Sequence, residues 1–169
     1  YRCAYGHSGP QNCGLACAKM VQFALEREGD VAAVIAEPMR AVPTVPPPGY
    51  WRAVREACNR HGALLIMDEI PTDLGKTGRM FAFEHDDIVP DIVTLGKSLG
   101  GGILPIAAVV AHKDLDVCGD FAIGHYTHEK NPVTARAALT TLEIIREEGL
   151  VERSAELGRH ALARLSEFA

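Results

Sequence analysis

The chain has little that would tie it to a nucleic acid or to a membrane. Its 17 Lys and Arg are outnumbered by 22 Asp and Glu, a formal charge of −5 at neutral pH. No positive field exists to hold a polyanion or an anionic lipid surface. Long hydrophobic runs are also missing: the longest, from about Ile103 to Ala111, is far below the ~20 residues of a spanning helix. The opening residues have neither an initiator Met nor the charged-then-apolar layout of a signal peptide, so a processed chain or an internal stretch is expected. Cysteine is sparse and unpaired in pattern. Cys3, Cys13, Cys17, Cys58 and Cys118 make an odd count with no Cys-x-x-Cys, which argues against a disulfide framework and for a reducing compartment, the cytoplasm. Cys13 and Cys17, with His7 upstream, lack the second ligand pair of a structural zinc site and read as small buried thiols; no metal is expected. No internal repeat or low-complexity segment is visible. What is present is ordinary globular material, 169 residues with 47% hydrophobic and 23% charged, enough to bury a real core.

Hydrophobic periodicity alternates between helix and strand. From Leu15 to Glu28, apolar residues at Cys17, Met20, Val21, Ala24 and Leu25 form one stripe of a helix that Gly29 stops. Short continuous apolar runs at Val31 to Ala36, Ala63 to Met67 and Ile92 to Leu95 read as strands covered on both faces. Between the first two lie the non-helical loop Pro46-Pro47-Pro48-Gly49 and a helix over Tyr50 to His61, with Trp51, Val54 and Cys58 on one side. That is a parallel strand–helix–strand unit. The next connection, about nine residues from Gly96 to Leu104, is too short for a parallel crossover, so the run Pro105 to Ala111 is predicted to be antiparallel. Asn131-Pro132 has the form of a helix cap with proline in the first turn, opening a helix that stops near Gly149. A final helix is expected over about Glu152 to Phe168.

In an open α/β sheet, ligands bind beyond the carboxyl ends of the strands. Glu37 closes the first run, Asp68-Glu69 the second, and Gly96-Lys97 the third. A lone Asp after a strand is ordinarily a cap, and a lone Lys ordinarily solvated. Lys97, however, lies in Leu95-Gly96-Lys97-Ser98-Leu99-Gly100-Gly101-Gly102, where small residues let backbone and ligand approach closely. A phosphate-cradling loop needs GxxxxGK[ST], but Asp91 and Ile70 stand where the first Gly belongs before Gly96-Lys97-Ser98 and Gly75-Lys76-Thr77, so both matches fail. The remaining chemistry for such a lysine is a Schiff base, which pyridoxal phosphate pairs with an Asp that keeps the pyridine nitrogen protonated. Asp68 and Lys97 fit that pairing.

Glu37-Pro38, Pro46-Pro47-Pro48-Gly49-Tyr50, Leu64-Leu65-Ile66-Met67-Asp68-Glu69-Ile70, Gly75-Lys76-Thr77-Gly78-Arg79, Pro90 to Lys97 and Asn131-Pro132 follow one another in family-like order and spacing. Over almost the whole chain they resemble the class III (omega) aminotransferases of the fold type I pyridoxal phosphate enzymes. The resemblance implies a three-layer α/β/α domain whose mainly parallel sheet has one antiparallel strand after the catalytic lysine. It implies that residues 1–149 are the later part of the cofactor-binding large domain. Residues 150–169 would then be a helix leading into a C-terminal small domain that this chain lacks, as it lacks the upstream part of the large domain. Pyridoxal 5'-phosphate is the implied cofactor. Lys97 resembles the lysine that holds it as an internal aldimine and then moves the substrate proton. Asp68 resembles the partner of the ring nitrogen, and Ile70 the aliphatic residue packed on the ring. Thr127 falls where the family has a Thr that reaches the cofactor phosphate of the neighbouring subunit, which implies a homodimer with shared active sites. The implied reaction moves an amino group from a small-molecule ω-amine or amino acid to an oxo acid.

Several positions depart from the commoner pattern. Met39-Arg40-Ala41-Val42 replaces a run that ends in Glu, so Val42 stands where glutamate-using members have the Glu that holds a switching arginine, which argues against glutamate as donor. Pro71 stands where Gln is frequent, and Asp73 where Gly is usual. His125-Tyr126-Thr127-His128-Glu129-Lys130 replaces a small, Gly-rich stretch. Its plainer reading is a polar loop at a subunit interface; the functional one is a pocket in which His128 shapes the amine site. Glu37 and Arg40 are further pocket candidates, Arg40 for a substrate anion or otherwise a solvated arginine. Two other outcomes stay open: a lyase or epimerase of the same family, and a non-catalytic remnant or interaction module.

Overall fold

The computed structural model describes residues 3–40, 44–121, 124 and 126–168. Helix α1 (Ala16–Glu28) precedes strand β1 (Ala33–Ala36), helix α2 (Tyr50–His61) and strand β2 (Leu64–Asp68). Strands β3 (Ile92–Leu95) and β4 (Ala108–Ala111) follow, then helices α3 (Pro132–Glu147) and α4 (Leu150–Ser166). The sheet has the order β1-β2-β3-β4, with the first three strands parallel and β4 antiparallel to β3. The antiparallel strand is thus where the short connection required it, but it starts at Ala108 and not at Pro105. Its ladder is limited by β3, whose last residue, Leu95, pairs with Ala108; at Gly96 the chain leaves the sheet.

The strands are pinned on one face. Register puts Leu65, Met67, Val93 and Leu95 on the same side, all buried. Trp51, Val54, Ala57 and Cys58 of α2, with Ala18 and Leu25 of α1, close over Leu65 and Met67, while Ala138 and Ile145 of α3 close over Val93 and Leu95. Full burial of side chains this size contributes about 1.5–3 kcal/mol each. The opposite face carries Ile35, Ile66, Asp68, Thr94 and Val109, and Ile35 and Val109 are 63% and 69% exposed. The double cover read from the continuous apolar runs is therefore met on one face only among the described residues. Apolar continuity reports that a strand is sheltered, not which layer of which segment shelters it.

Two details hold the ends of the strands. The Asp91 carboxylate, just before β3, accepts hydrogen bonds from the Leu65 N–H of β2 at 2.7 Å and from the Arg55 guanidinium of α2 at 2.6 Å. Partial burial alone would raise its pKa, but the Arg55 and Leu65 bonds outweigh this and hold it below the usual carboxylate range. A depressed folded-state value stabilises the fold above the unfolded-chain pKa, about 4, and that contribution fades as pH falls through the folded value. Asp91→Asn in the intact protein is expected to lose about 1–3 kcal/mol at pH 7, read from urea midpoints, with the gap to wild type narrowing as pH falls below the unfolded-chain pKa of about 4. Equal midpoints at pH 7 would refute the brace.

The second detail explains Gly75-Lys76-Thr77-Gly78-Arg79. Gly78 has φ +82° and sits so close to α4 that a Cβ there would lie 2.9 Å from Ala155 Cβ. Only a residue without a side chain satisfies both conditions. Ser154 of α4 then donates to the Lys76 carbonyl at 3.1 Å.

Candidate active site

The carboxyl ends of β1, β2 and β3 share one edge of the sheet because the strands are parallel. Asp68, the last residue of β2, lies level with Thr94 of β3. Its Oδ1 accepts hydrogen bonds from the Thr94 hydroxyl at 3.0 Å and from the Ile70 N–H at 3.2 Å. Oδ2 has no partner among the described residues, so the carboxylate is oriented by one oxygen and open at the other. Thr94 went unnoticed in the sequence because a Thr inside a strand reads as β-propensity; register alone brings it to Asp68.

Lys97 begins a single 3-10 turn, Lys97–Gly100, directly after Gly96. It is exposed, with a φ of +40° that a residue bearing Cβ rarely adopts. Its amine makes no hydrogen bond or ion pair among the described residues. Ile70 does share the neighbourhood of the lysine. A Cβ on Gly96 would come within 3.3 Å of Ile70 Cγ1, so a side chain at 96 would push Ile70 away from this turn. Behind the turn, Leu99 packs with Leu95 and with Ala138 and Ile145 of α3.

The other two acids of the loop after β2 are buried and structural. Glu69 is fully buried and accepts from the Thr72 hydroxyl at 2.5 Å and from the N–H groups of Ala82 at 3.0 Å and Phe83 at 2.9 Å. It is thus a staple for the helix-poor crossover from β2 to β3, not a second carboxylate of the crevice. Asp73 is also fully buried and holds Lys76 Nζ at 2.8 Å, the Gly96 N–H at 3.2 Å and the Ser98 hydroxyl at 2.5 Å. In the sequence Asp73 is marked only by standing where Gly is usual. An acid in a Gly-rich loop looks solvated until the chain brings donors to it.

The remaining candidates lie around this centre. Glu37 follows β1 and is exposed at the same sheet edge as Asp68. The next residue, Pro38, is anchored through its carbonyl, which accepts from Trp51 Nε1 at 2.9 Å. Arg40 is exposed and pairs through its backbone N–H with the Thr44 carbonyl at 3.3 Å. Ala41 and Val42 lie outside the described residues, as does His125. Thr127 and His128 occupy an exposed turn just before α3, whose first turn is capped by Asn131 Oδ1 accepting from Val133 N–H at 2.9 Å. His128 Nδ1 lies 3.4 Å from Asn131 Nδ2. No hydrogen bond joins Thr127 or His128 to Asp68 or Lys97. The structure thus sets Asp68, Ile70 and the turn that carries Lys97 at neighbouring strand ends, with Glu37 on the adjoining one, and leaves Arg40 on one separate loop and Thr127 and His128 on another.

The family model described as aminotransferase class-III matches residues 5–169. The (R)-1-hydroxy-2-aminoethylphosphonate ammonia-lyase of Vibrio splendidus is 39% identical over 149 residues, 88% of this chain and 31% of the lyase. The leucine/methionine racemase of Thermococcus litoralis is 40% identical over 174 residues, 99% of this chain and 39% of the racemase. The chain therefore spans about a third of the length of these curated relatives. Among solved structures, the ornithine aminotransferase of Toxoplasma gondii, described with partial occupancy of PLP at its active site, superposes with a TM-score of 0.77 at 37% identity. The match covers 85% of this chain and 34% of that one.

Proposed function

The chain belongs to the class-III aminotransferase family, and on that premise we propose that it carries the reacting centre of an enzyme moving an amino group from an ω-amine or amino acid to an oxo acid. The observation that carries the reading is the pairing of a lysine amine without a partner, Lys97, with the half-open carboxylate of Asp68 at neighbouring strand ends. Pyridoxal phosphate is the cofactor of this family, and the donor set fits it. Asp68 Oδ2 is an unpartnered acceptor suited to a protonated ring nitrogen, and the Lys97 amine is an unpaired nucleophile. When bound, the cofactor supplies an aldehyde for the amine and a ring that takes up the electrons left by breaking the substrate Cα–H bond.

The protein's part is positioning and proton movement. Thr94 and the Ile70 N–H aim Asp68, whose negative charge keeps the proton on the ring nitrogen. The Lys97 amine would take the proton from the substrate carbon as a base and, as an acid, give it up to the cofactor's aldehyde carbon instead of to the carbon it came from. Thr127 is assigned to the cofactor phosphate of a second subunit in a homodimer. Glu37, Arg40 and His128 are assigned to the substrate pocket. We assign residues 1–149 to the large domain and 150–169 to the start of a small one. No helix among the described residues is long and apolar enough to cross a membrane, and we place the protein in the cytoplasm on its cysteine pattern.

A second reading keeps the site and changes the fate of the proton. It is favoured by relatives as similar as a racemase and an ammonia-lyase. Product analysis of the intact protein separates the readings. Transfer predicts carbonyl product matched by the amino acid made from an added oxo acid, and no sustained turnover without that acceptor. Ammonia release, or loss of optical activity with no acceptor, would establish the lyase or racemase instead.

A further inference from the structure

Asp73 binds the residues on both sides of Lys97. Its Oδ2 accepts the Gly96 N–H at 3.2 Å and its Oδ1 the Ser98 hydroxyl at 2.5 Å, and the side chain is fully buried. Lys97 itself stands at φ +40°, a conformation that needs outside support in a residue with a Cβ. We propose that Asp73 is a positioning residue for Lys97, fixing the backbone turn from which the amine is presented and tying that turn to the loop that carries Asp68. The proposal rests on Lys97 being the reacting amine.

The loop geometry makes the tie direct. Asp73 N–H donates to the Glu69 carbonyl at 2.7 Å, so the chain from Asp68 to Asp73 is one tight turn. The carboxylate at its far end meets the end of β3. Lys76, 41% exposed, sits 2.8 Å from Asp73 Oδ1 and balances a charge that burial would otherwise make costly. Only an ionised carboxylate accepts at both oxygens. An Asn at this position accepts at one; with its oxygen kept on the Gly96 N–H, its NH2 group faces the Lys76 ammonium, which cannot accept, and the Ser98 hydroxyl, which must turn from donor to acceptor. The charge-assisted side of the bracket would be lost, and small misplacements of a reacting group are costly in rate.

The test compares wild type, Asp73→Asn and Ser98→Ala in the intact protein loaded with pyridoxal phosphate. Four quantities are read: melting temperature, kcat and KM, the pH midpoint of the visible absorbance, and the rate at which borohydride traps cofactor on the peptide containing Lys97, by mass spectrometry. Asp73→Asn is expected to lower kcat roughly tenfold to hundredfold with KM changed less than about threefold. Trapping slows, and the pH midpoint moves to lower pH because a buried negative charge has been removed from beside the turn. Ser98→Ala moves each quantity in the same direction by less. A lower melting temperature with kcat, trapping rate and midpoint at wild-type values overturns the proposal and leaves Asp73 a merely structural acid. If Asp73→Asn does not fold, Ser98→Ala decides alone, and wild-type values there overturn it. Cofactor trapped in wild type on a peptide other than that of Lys97 overturns the reading of Lys97 itself, and this proposal with it.

Discussion

Lys97→Ala is expected to abolish turnover, with kcat down by roughly a thousandfold or more, and to remove the visible absorbance that borohydride bleaches. Two functions are lost together: the amine that bonds to the cofactor aldehyde, and the base that moves the substrate proton. No neighbouring group stands in for it. Asp73 and Glu69 are buried and fully engaged by hydrogen-bond donors, and Lys76 is paired with Asp73. Lys97→Arg is expected to be equally inactive, because a guanidinium does not give up its proton near neutral pH. Steady-state rates and difference spectra of the loaded protein check both variants. A Lys97→Ala protein that kept turnover and the bleachable band would refute the assignment. A wild-type protein that never developed the band would favour the non-catalytic reading.

Asp68→Asn is expected to lower kcat/KM by roughly a hundredfold to a thousandfold, an effect larger than the loss of one ordinary hydrogen bond. The local geometry supplies the reason. Oδ1 is held by the Ile70 N–H at 3.2 Å, a backbone donor that cannot reverse its role. In an asparagine the carbonyl oxygen must stay there, which puts the NH2 group at the position of Oδ2. A protonated ring nitrogen would then face a donor where it had an anion, so the ring loses its proton and with it most of its capacity to accept electrons. Rates measured across pH, together with the pH dependence of the absorbance, test this. Asp68→Asn within tenfold of wild type would show that this carboxylate does not meet the ring nitrogen.

Much of the scaffold was legible because its signals are local. Helix α2 begins and ends where the Pro-rich loop and Gly62 require, β3 occupies Ile92–Leu95 as its apolar run predicts, and Asn131-Pro132 caps α3 as a short-range hydrogen bond dictates. β4 starts three residues later than its apolar run predicts, at Ala108 and not Pro105, because a strand begins where a partner does, and β3 ends at Leu95. Asp68 and Lys97 were legible as strand-end residues in an unusual context, whereas their supports were not. Thr94, Asp73 and Glu69 have ordinary propensities for a strand or a polar loop, and nothing within a few residues marks them.

The sequence alone determined the order of elements, the reversal of the last strand and the two candidate side chains at the strand ends, Asp68 and Lys97, since each depends on spacing along the chain or on a motif. Only the tertiary structure decided what aims them. The threonine on Asp68 comes from the adjacent strand, and the acid that brackets Lys97 comes from the loop after β2. Hydrogen bonds between residues more than twenty positions apart follow from register and chain crossing, which no local pattern encodes.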